Sequence, residues 1–235
     1  MFIIFEKKFL ATILFLVVLI VFTLSSAKEV YLQTYTSADA PVVLIDPGHG
    51  GEDGGATGIS GALEKDINLA VAKYLAYYLE KEGISFIMTR DSDISIHDDS
   101  CSTIREKKRS DLNKRREIIQ SCGAKLFVSI HMNSFTDSVY KGAQVFYSTN
   151  NPNSKAFAQT LKNSLLDTLK DNNKREIKKA NDSIYIMKYT NMPAILVECG
   201  FLTNAEEEAL LKTKAYQKKI AKAICNTIIT TLKDE

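Results

Sequence analysis

Two histidines and two glutamates carry the chemistry open to this chain. His49 follows Val42-Val43-Leu44-Ile45-Asp46-Pro47-Gly48, so a short β-branched run delivers an imidazole just past its end. His131 follows Leu126-Phe127-Val128-Ser129-Ile130 in the same way, and Glu198 follows Ala194-Ile195-Leu196-Val197. Glu64 closes a loop that opens at Gly48 and holds seven of the chain's 11 glycines. Backbone of that kind can take positive φ and come close to a bound group. Two imidazoles and one carboxylate, His49, Glu64 and His131, make a His2Glu set, which catalytic zinc sites use with a fourth position left for water. A carboxylate at a buried strand end, such as Glu198, is costly unless it has a partner. Beside a metal centre it would have the task of general base and acid.

Each residue taken singly has an ordinary alternative. A histidine at a strand end can be a hydrogen-bonded structural residue, and His97, in a polar stretch, has little to recommend it as a ligand. Glu64 alone reads as a first-turn glutamate stabilised by the helix dipole, and Glu198 as half of a salt bridge to a lysine. The glycine loop lacks the Lys-Ser/Thr ending of a phosphate-binding loop and contains no GxGxxG, so nucleotide motifs are excluded. The set becomes informative because its members recur at one kind of place.

The elements that position them alternate between strand and helix. Strands are predicted at Val42–Ile45, Ile84–Thr89, Leu126–Ile130, Gly142–Ser148, Ser183–Met187 and Ala194–Val197. Helices are predicted at Asp66–Glu82, where Ile67, Val71, Tyr74, Leu75, Tyr78 and Leu79 form a stripe ended by Gly83, and at Asp111–Ser121. Further helices are predicted from Asn151 to Lys170, over Ala205–Leu211 and over Ala215–Leu232. Arg90–Arg109 and Asp171–Asn181 read as polar loops. The expectation is one α/β domain with a mostly parallel central sheet of about six strands and helices on both faces. His49, His131 and Glu198 then lie just past the carboxyl ends of strands, at the sheet edge where ligands bind in such folds.

Composition is that of an ordinary globular chain: 235 residues, 45% hydrophobic and 25% charged, with a formal net charge of +2. That charge is too small to suggest nucleic acid as a partner, and no basic stripe is interleaved with aromatics. The amino terminus departs from this average. Phe9 to Leu24 is an uncharged run of 16 residues after Glu6-Lys7-Lys8 and before Ser25-Ser26-Ala27. It is short for a membrane span, which needs roughly 20 residues. Residues 1–27 therefore read as a cleaved export signal, with a retained N-terminal membrane anchor as the alternative, and 28–41 as a linker. The four cysteines match no zinc knuckle. Cys199 and Cys225 read as core, and Cys101 and Cys122 as candidates for pairing.

The segments IDPGHGGEDGGATG, LEKDINLAVAKYL, IMTRDSD, LNKRREII, AKLFVSIHMNS, GAQVFYS and PAILVECGFLTNAEEEALL resemble, in order, those of the zinc-dependent N-acetylmuramoyl-L-alanine amidases. The resemblance covers residues 42–232 and is similar in detail to the CwlD-type, germination-associated amidases of spore-forming bacteria. It implies one catalytic Zn2+ on His49, Glu64 and His131, with Glu198 as the catalytic acid and base. It implies a structural or substrate-side role for Arg115 and for Asn133. Cys199 departs from the small or aliphatic residue usual there. The implied substrate is peptidoglycan, cut between the muramic acid lactyl group and L-alanine, in spore cortex before muramic δ-lactam formation. The residues alone would also allow another exported zinc hydrolase, such as a carboxypeptidase or deacetylase, or a non-catalytic wall-binding protein. With no wall-binding module in the sequence, an exported accessory or docking protein is an expected partner, and membrane contact is expected only through the N-terminal segment.

Overall fold

The computed structural model describes residues 42–233, so the expectations for 1–27 and 28–41 lie outside the described residues. Six strands, β1 (Val43–Pro47), β2 (Phe86–Met88), β3 (Leu126–Asn133), β4 (Gln144–Tyr147), β5 (Lys178–Lys179) and β6 (Ala194–Phe201), form one sheet in the order β2-β1-β3-β6-β4-β5. Strands β2, β1, β3 and β6 run parallel, and β4 pairs antiparallel to β6. Five helices accompany them: α1 (Glu64–Lys81), α2 (Ile104–Ser121), α3 (Ser154–Leu169), α4 (Ala205–Leu211) and α5 (Lys214–Lys233).

Alternation along the strands divides the core in two. Val43, Ile45, Val128, Ile130, Ile195 and Val197 pack on one face against Val71 and Leu75 of α1, Leu161 of α3 and Ile224 of α5. Leu44, Phe127, Ala194 and Leu196 face the other way, against Ile119 of α2 and the buried Ile186 and Met187. The continuous apolar runs of β1, β3 and β6 are what a parallel sheet buried on both faces requires. His131 and Glu198 share the α2 face, since they continue the series Phe127-Ser129-His131 and Leu196-Glu198 and are register partners.

Four expectations need correcting. Ser183–Met187 is not a strand: Tyr185–Tyr189 forms a 3-10 turn. The Asn181 side chain accepts hydrogen bonds from the Ser183 amide and hydroxyl, an Asx turn that coils the chain there. Burial of the adjacent Ile186 and Met187 also contradicts strand alternation. The sixth strand is instead the two-residue β5 inside the expected loop Asp171–Asn181, and its exposed Lys178 and Lys179 suit a sheet edge. The polar stretch Arg90–Arg109 ends in a helix, because Thr103 and Glu106 close a capping box that starts α2 seven residues before Asp111. Finally, β3 and β6 extend beyond Ile130 and Val197, so His131 and Glu198 stand within their strands, with an irregularity in the pairing just after His131.

Candidate active site at the carboxyl edge of the sheet

The chain leaves β1 at Gly48 and turns at His49, whose φ of 62° is left-handed. A reciprocal pair of hydrogen bonds between Gly50 and Asp53 folds the loop back. The Asp53 carboxylate thereby comes 2.8 Å from Nδ1 of His49 and fixes the ring. Nε2 of that ring lies 3.2 Å from Oε2 of Glu64, the first residue of α1, and Oε1 of Glu64 lies 2.9 Å from Nδ1 of His131. The Ala56 and Met132 amides donate to the same carboxylate at 2.8 and 3.1 Å, and Asn68 donates at 3.3 Å. The two imidazoles meet edge to face with centroids 5.1 Å apart.

Close approach explains two of the glycines. A Cβ on Gly48 would come within 2.2 Å of the His131 ring, and one on Gly55 within 2.5 Å of Oε2 of Glu64. Any side chain at either position would displace a member of the set.

The electrostatics follow from burial and proximity. Burial alone would lift the Glu64 carboxyl, but hydrogen bonds from His131 and His49 hold it far below the usual carboxylate range. Burial disfavours a charged ring at His49, yet the Asp53 and Glu64 carboxylates outweigh it and raise the imidazole to about 9. At neutral pH the metal-free His49 is thus protonated, and a bound cation would take that proton's place. Glu198 differs from both. Its Oε2 is buried with no hydrogen-bond partner, and burial lifts its carboxyl to about 7 despite the nearby His131.

Donor atoms of His49, Glu64 and His131 all lie within 4.8 Å of one another. Two imidazoles sharing one carboxylate, with an orphaned buried carboxylate oxygen on the neighbouring strand, is a set that fits a divalent cation of the zinc type. Of the other expected residues, Arg115 is almost wholly buried and does not face solvent. Its guanidinium donates to Asp46 and Asp111, to the Pro47 carbonyl at 2.9 Å and to the His49 carbonyl at 2.8 Å. Asn133 is not gathered into the set, and its side chain accepts from the Ser134 amide. His97 stays apart, bonded to Ser95. Cys101 and Cys122 are both free thiols, and Cys199 and Cys225 are buried in the core.

Two contributors escaped the sequence reading. Asp53 orients His49, and its only signal was an acid four residues beyond a histidine in a glycine loop. Arg90, one residue past Thr89, donates to the carbonyls of Pro47, Gly48 and Lys65 at 3.0, 2.9 and 2.9 Å. Two buried arginines thus hold three successive carbonyls of the His49 turn.

Fold and site together define a class: an α/β domain with a candidate metal centre at the carboxyl edge of a mostly parallel sheet. The comparisons place it further. The sequence pattern of the N-acetylmuramoyl-L-alanine amidases matches residues 43–230, and the chain belongs to that family of peptidoglycan amidases. The germination-specific N-acetylmuramoyl-L-alanine amidase of Bacillus subtilis (strain 168) is 36% identical over 188 residues, covering 80% of this chain and 78% of that protein. The amidase AmiA of Escherichia coli (strain K12) is 33% identical over 87% of this chain and 83% of its own length. Among solved structures, the CwlD amidase of Clostridioides difficile in complex with the GerS lipoprotein superposes with a TM-score of 0.80 at 39% identity. That match covers 84% of this chain and 100% of the other.

Two outcomes follow from this geometry. Arg90→Lys replaces a planar fork with a point charge that cannot reach three carbonyls, so zinc affinity measured by chelator competition should fall about 10- to 100-fold; unchanged affinity would contradict a role for Arg90 in holding the turn. The second concerns pH. Glu198 has a folded pKa of about 7 against an ordinary 4.5, so the fold prefers its neutral form. The stability this contributes is complete below about 4.5 and is lost as pH rises through about 7. Metal-free Glu198→Gln protein should therefore gain on metal-free wild type by up to about 3 kcal/mol between pH 4.5 and 8 in urea melts, and a gap that does not change with pH would refute the shift.

Proposed function

We propose that the chain is a zinc-dependent N-acetylmuramoyl-L-alanine amidase that hydrolyses the amide between the muramic acid lactyl group and L-alanine. The observation that carries this reading is the gathering of His49, Glu64 and His131 around one point with Glu198 beside them, in a chain of that family. His49, Glu64 and His131 would hold one zinc ion, and Glu198 would be the catalytic residue. When bound, the ion supplies Lewis acidity, polarising the scissile carbonyl and acidifying the attacking water. Glu198 takes the proton from that water at its carboxylate as the water adds to the carbonyl carbon. It then returns the proton to the alanine nitrogen as the carbon–nitrogen bond breaks, and the products are a free lactyl carboxylate and a free stem peptide. Asp53 keeps Nδ1 of His49 engaged, so that Nε2 stays turned toward Glu64.

The narrower biological role is also part of this proposal. The relative from Bacillus subtilis is named germination-specific, and the solved relative from Clostridioides difficile is a CwlD amidase seen with a lipoprotein. These support action in spore cortex, on peptidoglycan whose muramic acids go on to become muramic δ-lactam, with an exported accessory protein as partner. Residues 42–232 would be the catalytic domain. Residues 1–27, an export signal or anchor, would carry that domain across the cytoplasmic membrane, with 28–41 as the linker. No helix among the described residues is long and apolar enough to cross a membrane.

Glu198→Gln protein should keep one zinc per chain and release stem peptides from purified peptidoglycan about 10²–10⁴-fold more slowly. Release at the normal rate with zinc bound would remove Glu198 from the mechanism. In spores of the source organism lacking the protein, muropeptide analysis should find no muramic δ-lactam, and normal levels would reject the cortex role.

A further inference from the structure

Two of the three donor residues, His49 and His131, line a cavity of about 120 Å³ together with Asp53, Lys108, Leu112 and Ile186, and with Asp46 and Asp111, whose carboxylates are paired to Arg115. Leu112 and Lys108 come from α2 and Ile186 from the 3-10 turn, so the cavity lies between the two elements that cover this face of the sheet. Its charged lining is unequal. Arg115 is enclosed and commits its guanidinium to Asp46, Asp111 and main-chain carbonyls. Lys108 has a half-exposed side chain and one ion-pair contact, 3.0 Å to Oδ1 of Asp53. Oδ2 of the same carboxylate lies 2.8 Å from the His49 ring. An ammonium has three donors, so Lys108 can bind a second anion without leaving Asp53.

We propose that Lys108 and this cavity form a subsite for the leaving peptide, in which the ammonium takes the free carboxylate of the residue one beyond the scissile amide. The proposal rests on the amidase reading and names a specificity determinant for it. In a stem peptide the second residue is joined through its side-chain carboxyl, which leaves its main-chain carboxylate unpaired and anionic. Two extended residues span at most about 7 Å. Lys108 meets Asp53 at 3.0 Å and Asp53 meets the His49 ring at 2.8 Å, so one carboxylate separates the ammonium from the ring, a separation on the scale of two residues. Leu112 and Ile186 offer apolar walls to the alanine methyl.

The test uses the zinc-loaded enzyme and two muramoyl dipeptides that differ only in whether that carboxylate is free or converted to a carboxamide. Wild type should cleave the free acid with a kcat/KM about tenfold higher, the size of one charge-assisted hydrogen bond. In Lys108→Gln the ratio should fall to within about twofold of unity with zinc content unchanged, while Lys108→Arg should keep most of the preference. A wild-type ratio near one would overturn the subsite and leave the amidase reading standing. An equal loss on both substrates in Lys108→Gln, or a loss of zinc, would also overturn it, since Lys108 would then act only through Asp53 and His49. Cleavage of purified peptidoglycan but of neither dipeptide would overturn the subsite, since binding would then depend on more distant parts of the substrate; if the zinc-loaded wild type cleaved neither the dipeptides nor peptidoglycan, the amidase reading would fail and the subsite with it.

Discussion

The Glu64 carboxylate is the group on which the site depends. It is 4% exposed, and its two oxygens meet both imidazoles and two backbone amides. An ionised carboxylate with so little access to water is tolerated only when its lone pairs are matched. Here the matching groups come from three separate segments: the glycine loop, the end of β3 and Asn68, one turn further along α1. Satisfying one buried charge therefore brings together residues that are 15 and 67 positions apart from it in the chain. The same arrangement leaves a cluster of donors that one cation can bind.

A second tier of buried charge holds the first in place. Asp46 is fully buried, and although burial opposes its ionisation, Arg115 beside it and the hydroxyls of Ser129 and Thr89 keep its carboxyl below the ordinary value. Arg115 and Arg90 then reach the carbonyls of the turn, where His49 sits in a backbone conformation that side chains rarely adopt. Strain of that kind persists when the surroundings over-determine it, and two guanidinium forks on three consecutive carbonyls provide that. The α2 face of the sheet thus exchanges part of its apolar core for a polar layer directly beneath the site.

Much of this was legible in the sequence because polar residues at the ends of apolar strand runs are conspicuous. His49, His131 and Glu198 each follow such a run, and a glutamate that starts a helix after a glycine loop marks the loop's far end. The alternation of strands and helices gave the α/β sheet for the same reason. The supporting layer was harder to see. Arg90 and Arg115 act on main-chain carbonyls, and main-chain partners leave no signature in residue type or spacing. Tyr185–Tyr189 misled because a short apolar stretch fits a strand or a tight helical turn equally well, and the Asx turn at Asn181 decides between them. The start of α2 was readable in Thr103 and Glu106, but the run of charged residues around them looked like loop.

The account's central claim is that side chains from three segments share one ion. The most direct measurement is anomalous diffraction at the zinc edge from crystals of the zinc-treated protein. The account predicts one strong peak per chain, in contact with His49, Glu64 and His131 and adjoining Glu198. A peak held by other residues, or none at this edge of the sheet after zinc treatment, would contradict it.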